Sequence, residues 1–380
     1  MYTTKQWAKA DPNVAGLIAG ASGFAAAYSG PPGVGKSQTI LSWCRVLGYE
    51  PIILIGSTHP PEDFSGLPYV IDAKEFFDHV PARFLHRLTQ PRAICLMDEL
   101  TCVGPQTRAG MLSLLSERCV GNLKVHPSCI FIAAYNPPEM APSAIPLERS
   151  VANRFYHAKW VHDRAAWKTG MVSEDNEFEP SWCPQTMPTA EEAKRFRPMF
   201  GEYIVQFTDR HSDMAETVPE HETDYAYATP RTWKQLRDAL CVAEAISAPV
   251  TIKRQLMDGY VGKRAGGALA KYINELDLID VEEAIANPSS FKHDKKRPDL
   301  TVALLTSVVS ALEKNYSPER LENSVSLFCD NVAHDAADLV MSQLRHLCAT
   351  RGEEKLTAGA TKSIKEFGDR IPERLKRLKK

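Results

Sequence analysis

The chain has 380 residues, 44% hydrophobic and 24% charged, with a formal net charge of −2. That composition describes a globular protein long enough for two domains. The near balance of charge argues against a protein that coats nucleic acid or lies on a membrane surface.

The first stretch of note is Val14–Tyr28, uncharged, rich in Ala and Gly, and preceded by Lys5 and Lys9. It faintly resembles a secretory signal. It also runs straight into a glycine loop at Gly30, and cleavage there would remove the strand that such a loop requires. No other stretch approaches the roughly 20 apolar residues of a membrane span. Nine cysteines occur with no C-x-x-C pair, and Cys44, Cys95 and Cys129 fall in apolar runs. They read as reduced core residues, and the chain as soluble and cytoplasmic.

Gly23–Ser29 is a short apolar run closed by glycine and prolines, and predicts a buried strand. Lys36–Leu47 places Ile40, Leu41, Cys44 and Leu47 on one helical face and stops at Gly48. Ile52–Ile55, Ala93–Met97 and Cys129–Ala134 are continuous apolar runs, as expected of parallel strands covered on both faces. Pro105–Glu117 has a helical pattern. Beyond Trp160 strand-like runs mostly vanish. Glu174–Pro188 is acidic, contains proline and reads as an exposed loop. Helical patterns follow at Ala190–Phe207, Thr232–Ile246, Leu300–Lys314 and Pro318–Ala349. The fold class expected is α/β: a three-layer α/β/α P-loop core with a mainly parallel sheet over residues 1–160, an insertion and helical lid over 161–290, and a C-terminal helical extension over 291–380.

Gly30-Pro31-Pro32-Gly33-Val34-Gly35-Lys36-Ser37 is a complete G-x-x-x-x-G-K-[ST] loop between a strand and a helix. Its glycines let backbone N–H groups turn inward on phosphate oxygens, and the helix N-terminus adds its positive end. Lys36 is expected on the β- and γ-phosphates and the Ser37 hydroxyl on Mg²⁺. Asp98-Glu99 directly follows an apolar strand, the Walker B arrangement. Asp98 is the second candidate Mg²⁺ ligand, and Glu99 the general base for the attacking water. Asn136 ends the fourth strand, where it could orient that water; an Asn-Pro turn is the bland alternative. Arg154 is the candidate arginine finger acting in trans, with Arg149 its competitor. Arg231 opens a helix in the lid and is a candidate for contact with the γ-phosphate.

In this order the set Gly30–Ser37, Asp98–Glu99, Asn136, Arg154 and Thr229-Pro230-Arg231 resembles the AAA+ ATPases. Within them it looks most like the MoxR branch, through Pro61–Pro68, Asn153-Arg154-Phe155 and the Pro-Arg pair. The resemblance covers about residues 10–290. It implies ATP and Mg²⁺ as ligands, and a ring, usually a hexamer, with ATP between subunits and the arginine finger supplied by the neighbour. It implies sensor 2 at Arg231, acting in cis or in trans. It also implies an insertion at Gly66–Val80 and a hairpin at Arg118–Ser128, both facing a pore or partner, and a protein partner such as a von Willebrand factor A domain protein. The segment between Trp160 and Tyr225 is longer than the branch leads one to expect.

Two other readings stand beside a MoxR-like remodelling ATPase. One is a nucleic-acid-stimulated motor or restriction-type NTPase, for which only the basic tail Arg370–Lys380 speaks. The other is a nucleotide-gated scaffold with little turnover, against which the intact Glu99 and Asn136 speak. The loop reads phosphates, so ATP and GTP are not distinguished. The histidines form no H-x-x-x-H pattern, so no zinc site is expected. Gly262–Gly267 follows no strand and reads as a helix junction.

Overall fold

The computed structural model describes residues 2–71, 76–120, 122–137, 140, 145–173, 178, 179, 181–219, 221, 224–276, 281–288, 304, 307–309, 311, 312 and 315–331. They divide into two compact units, residues 1–197 with 211–269, and residues 198–210 with 270–380.

In the first unit, α1 (Thr4–Trp7) and α2 (Val14–Ala21) lead into β1 (Ala25–Ser29). There follow α3 (Lys36–Leu47), β2 (Glu50–Ile55), α4 (Pro61–Ser65), a hairpin of β3 (Leu67–Ile71) and β4 (Phe76–Val80), a 3-10 segment (Arg83–Thr89), β5 (Ala93–Asp98) and α5 (Pro105–Glu117). After these come a small hairpin of β6 (Cys119–Val120) and β7 (Leu123–Lys124), then β8 (Ile130–Tyr135), α6 (Arg149–Ala152) and β9 (Phe155–Lys159). Helices then take over: α7 (Arg164–Val172), α8 (Ala190–Lys194), α9 (Arg197–Arg210), which enters the second unit at Pro198, α10 (Ser212–Ala215), α11 (Pro230–Ala245) and α12 (Val250–Leu276).

The central sheet has five strands in the order β2-β5-β8-β1-β9, every neighbouring pair parallel. Successive side chains alternate between its faces. Ala25, Ala27, Cys95, Met97, Phe131 and Ala133 join Phe64, Leu85, Met111 and Leu114 in one core. Ile94, Leu96, Ile130 and Ile132 are buried on the opposite face, where α2 packs on β1 and β8 and α3 on β2 and β5. This is the expected three-layer α/β architecture. Both faces are covered except at the edge strand β2, where Ile53 and Ile55 are partly exposed.

The apolar segment at Val14 is the helix α2, buried along Val14–Gly20. Tyr28 fastens it: the phenol donates to the Asn13 carbonyl (2.5 Å) and accepts from Gly16 N–H (2.9 Å). Asp11, just before it, is fully buried. Its Oδ1 accepts from Asn13 N–H (2.7 Å) and its own N–H donates to Trp182 O (2.7 Å). Burial, with the charge of Asp163 nearby, raises its pKa to about 7.

Several expectations are corrected in detail. β1 begins at Ala25, since Gly23 turns with φ +96°. The apolar run Phe155–Trp160, not assigned to an element on sequence grounds, supplies the fifth strand of the central sheet, Phe155–Lys159. Ala190–Phe207 is two helices. α8 opens with a capping box from Thr189 to Glu192, and Pro198, with no N–H and a ring that would clash one turn back, starts a new helix instead of extending the old. Within the insertion expected at Gly66–Val80, β3 pairs antiparallel with β4, and the hairpin expected at Arg118–Ser128 is present as β6 paired with β7. α12 kinks at Gly262 (φ 82°, ψ 159°), where a Cβ would stand 2.8 Å from Ala226 O.

In the second unit, Phe207 and Tyr272 rings meet at 5.8 Å and Arg210 lies 5.6 Å from the Tyr272 ring centroid. A helix at Val281–Ala286 packs on one at Pro318–Asn331, and Arg320 pairs with Glu282 at 2.6 Å. Most of Leu300–Lys314, the end of the pattern Pro318–Ala349, part of Glu174–Pro188, and the tail Arg370–Lys380 lie outside the described residues. No helix among the described residues is long and apolar enough to cross a membrane.

Candidate nucleotide site

Strand register gathers the glycine loop, Asp98-Glu99 and Asn136 at one edge. Ser29 pairs with Tyr135 on one side and Lys159 on the other, and Met97 pairs with Ala133. The residues that follow β1, β5 and β8 therefore emerge at one edge of the sheet: Gly30 onward, Glu99 and Asn136.

The glycine loop is rooted between two strands. Gly30 N–H donates to Tyr135 O (3.1 Å) and Trp160 N–H to Ser29 O (2.8 Å). A Cβ on Gly30 would stand 2.7 Å from that of Trp160, so only glycine fits. Gly33 (φ 77°) and Gly35 (φ 87°) adopt left-handed backbone that other residues rarely take. Gly35 is the N-cap of α3, so Lys36 and Ser37 begin its first turn.

Lys36 is 7% exposed. Its ammonium donates to the carbonyls of Gly30 (2.9 Å) and Pro31 (3.0 Å) and to Asn136 Oδ1 (3.5 Å). Burial lowers its pKa, and the negative charge of Asp98 opposes that shift. Asn136 thus faces the lysine of the loop. Its carbonyl accepts from Thr101 Oγ1 at 3.5 Å, which ties the ends of β5 and β8 together.

Asp98 is the last residue of β5, and its Oδ1 accepts from Glu99 N–H at 2.8 Å. Glu99 has φ +61°. A non-glycine residue there costs on the order of 1–3 kcal/mol and persists only where its surroundings over-determine it. They do so here: Leu100 N–H donates to Ala134 O (3.2 Å) and Cys102 N–H to Glu99 O (3.0 Å). Hard oxygen donors at Ser37 and Asp98 suit Mg²⁺. The Ser37 hydroxyl has no hydrogen-bond partner among the described residues, which leaves it available to a ligand.

The arginines are elsewhere. β9 runs parallel to β1 from Phe155, opposite Ala25, to Lys159, opposite Ser29. Arg154 therefore precedes the edge from which β9 starts, about 16 Å along the strands from the glycine loop. Its guanidinium is 3.4 Å from Glu117 of α5. Arg149 and Arg231 are both exposed, and both belong to the same end: Thr229, the N-cap of α11, donates from Oγ1 to Asn153 Oδ1 (3.1 Å). The chain brings Lys36, Asp98, Glu99 and Asn136 together, and collects Arg149, Arg154 and Arg231 at the opposite edge. Sequence reading missed the buried polar contacts that join Asn153 and Arg154 to α11. The Thr229–Thr232 spacing, a capping box with Pro230 behind it, was the one local sign of them.

No family model and no curated protein matches the chain. Among solved structures it is similar to a protein of Cytophaga hutchinsonii provisionally named an ATPase, at 12% identity and a TM-score of 0.41, over 74% of this chain and 91% of that one. At that identity and TM-score the likeness assigns no function to this chain.

Proposed function

We propose that the chain is a Mg²⁺-dependent ATP hydrolase of the AAA+ type whose active sites are completed between copies in a ring. The observation that carries this reading is the split just described. A desolvated lysine, two carboxylates and an amide converge on a glycine loop at one edge of the sheet, and the arginines sit at the other.

In this reading the loop amides and Lys36 hold the triphosphate. Asn136 orients a water in line with the γ-phosphorus. Glu99 takes a proton from that water as its oxygen bonds to phosphorus and the bond to the ADP oxygen breaks. Ser37 and Asp98 would hold Mg²⁺, which supplies charge neutralisation on the phosphate oxygens. Arg154 of a neighbouring copy meets the charge of the transition state, and Arg231, carried on the same edge, faces the same neighbour.

The finer assignment is a MoxR-like enzyme that remodels a protein partner, a von Willebrand factor A domain protein being the candidate class. Two hairpins support a protein partner. Leu67, Tyr69, Val70, Phe77 and Val80 on β3 and β4 are all more than half exposed, an apolar patch of the kind that marks interaction sites. Asn122 of the second hairpin donates to Asp78 of the first, so the two form one surface.

ATPase rate against protein concentration tests the core of this reading. A rate per subunit that rises with concentration, with Arg154→Ala inactive and poisoning mixtures with wild type, is expected. A concentration-independent rate that Arg154→Ala leaves untouched would overturn shared sites and the ring.

A further inference from the structure

Beneath the three arginines lies a polar cluster that takes no part in the nucleotide cradle. Asn153, Thr232 and Gln235 are buried. Thr229 Oγ1 donates to Asn153 Oδ1 (3.1 Å) and Gln235 Nε2 to the Arg154 carbonyl (3.2 Å). Thr232 Oγ1 donates to Tyr227 O (2.9 Å), and Tyr227 Oη to the Arg149 carbonyl (3.0 Å). The backbone that carries Arg149 and Arg154 is thus hydrogen-bonded to the turn that carries Arg231.

The cluster is a poor device for stability. Asn153 Nδ2 and Gln235 Oε1 are buried with no partner among the described residues, and an apolar side chain of the same shape would avoid both desolvation losses. What the amides provide is direction, since each fixes one backbone or side-chain oxygen of the arginine segment to one point on α11.

We propose that Asn153, Thr229 and Gln235 form a clasp that sets Arg154 and Arg231 as one rigid pair, and that Gln235 is a positioning residue for ATP hydrolysis in the neighbouring copy. The proposal rests on the reading that active sites are shared between copies. The clasp acts through the arginines it holds, so breaking it damages the neighbour's turnover and leaves the chain's own nucleotide cradle whole.

The test is complementation in full-length protein. Gln235→Leu keeps side-chain volume and removes the bond to Arg154. Its kcat is expected to fall about 10- to 100-fold, the cost of misplacing a group by about an ångström, while KM for ATP and the affinity for a fluorescent ATP analogue stay within about twofold. Mixed with Glu99→Gln, which keeps its arginines and lacks its base, it should regain turnover above either variant alone, because Glu99→Gln copies offer intact arginines to Gln235→Leu sites. Arg154→Ala mixed with Glu99→Gln is the control. Rescue in the control without rescue of Gln235→Leu overturns the clasp and keeps the shared site. No rescue in either overturns the shared site, and the clasp with it. Should Gln235→Leu not fold, Thr229→Val against Thr229→Ser makes the same test: the clasp requires loss and complementation with Val and near-normal turnover with Ser.

Discussion

The two ends of β1 and β9 differ in how their chemistry is built. At the end of β1, the lysine ammonium, the Asp98 carboxylate and the strained Glu99 are held by backbone, through glycines with positive φ, carbonyls of the loop, and cross-strand N–H bonds. At the start of β9, Arg154 is partly exposed and its guanidinium pairs, among the described residues, with a glutamate 3.4 Å away, while the order lies below it, in buried amides and hydroxyls. A preorganised cradle costs nothing to assemble at the moment of reaction. An exposed arginine on a fixed base is suited to a surface that another molecule must meet.

The largest effect that separates the two ends is expected from Arg154→Ala. If that residue completes a site on another copy, kcat should fall by about 10³-fold or more, as for arginine fingers in well-characterised NTPases, with nucleotide binding kept. Arg231→Ala should fall less and in the same direction. A cis role for Arg154 would show as a weakened affinity for ATP in monomeric protein, measured by titration of a fluorescent analogue. Glu99→Gln comes next, at about 10²–10⁴-fold in kcat, with Mg-ATP still bound. Phosphate release at the wild-type rate from that variant would remove Glu99 from the mechanism.

Much of the cradle was legible because it is local. Gly30–Ser37 is one stretch, and Gly33 and Gly35 are there for φ values only glycine takes freely. Lys36–Leu47 and Pro105–Glu117 match their expected bounds because their punctuation is chemical: Gly48 with φ 65° closes the first and Pro105 opens the second. Asn136 stands directly after β8, where the apolar run Cys129–Ala134 put it. β9 lies in the apolar run Phe155–Trp160, too short and too polar at His157 and Lys159 to be assigned as a strand; its exposure rises from buried Phe155 and Tyr156 to exposed Lys159. Of the clasp only the Thr229–Thr232 capping box left a local sign, and it names no partner. Asn153 and Thr229 are 76 residues apart and Arg154 and Gln235 81, and a cap marks where α11 starts but not what it reaches across that span.

A smaller effect tests whether the cradle's flank is as rigid as its loop. Asp11 has an ordinary carboxyl pKa of 3.8 when exposed and about 7 when buried in the fold. The folded chain therefore holds a proton that the unfolded chain releases. Its contribution is fully present below about pH 3.8, declines as pH rises, and is lost through about pH 7. Asp11→Asn, neutral throughout, should raise Tm by several degrees at pH 8, by less at pH 5, and change it little below about pH 3.8. Equal shifts at every pH would mean that the carboxyl ionises freely where it stands.

The smallest effect is expected at Glu117. Its pair with Arg154 is long and open to solvent on both sides, and pairs of that kind contribute about 0–1 kcal/mol. Glu117→Gln should leave Tm within about one or two degrees. If the pair merely parks the guanidinium until a neighbour arrives, kcat should change less than about threefold, with any gain largest at low protein concentration, where free chains predominate. A loss as deep as that of Arg154→Ala would put Glu117 inside the site and make the pair part of its geometry. Arg154 would then be held at both ends, by Glu117 at the guanidinium and by Gln235 at the carbonyl, and the exposed edge would be as preorganised as the cradle.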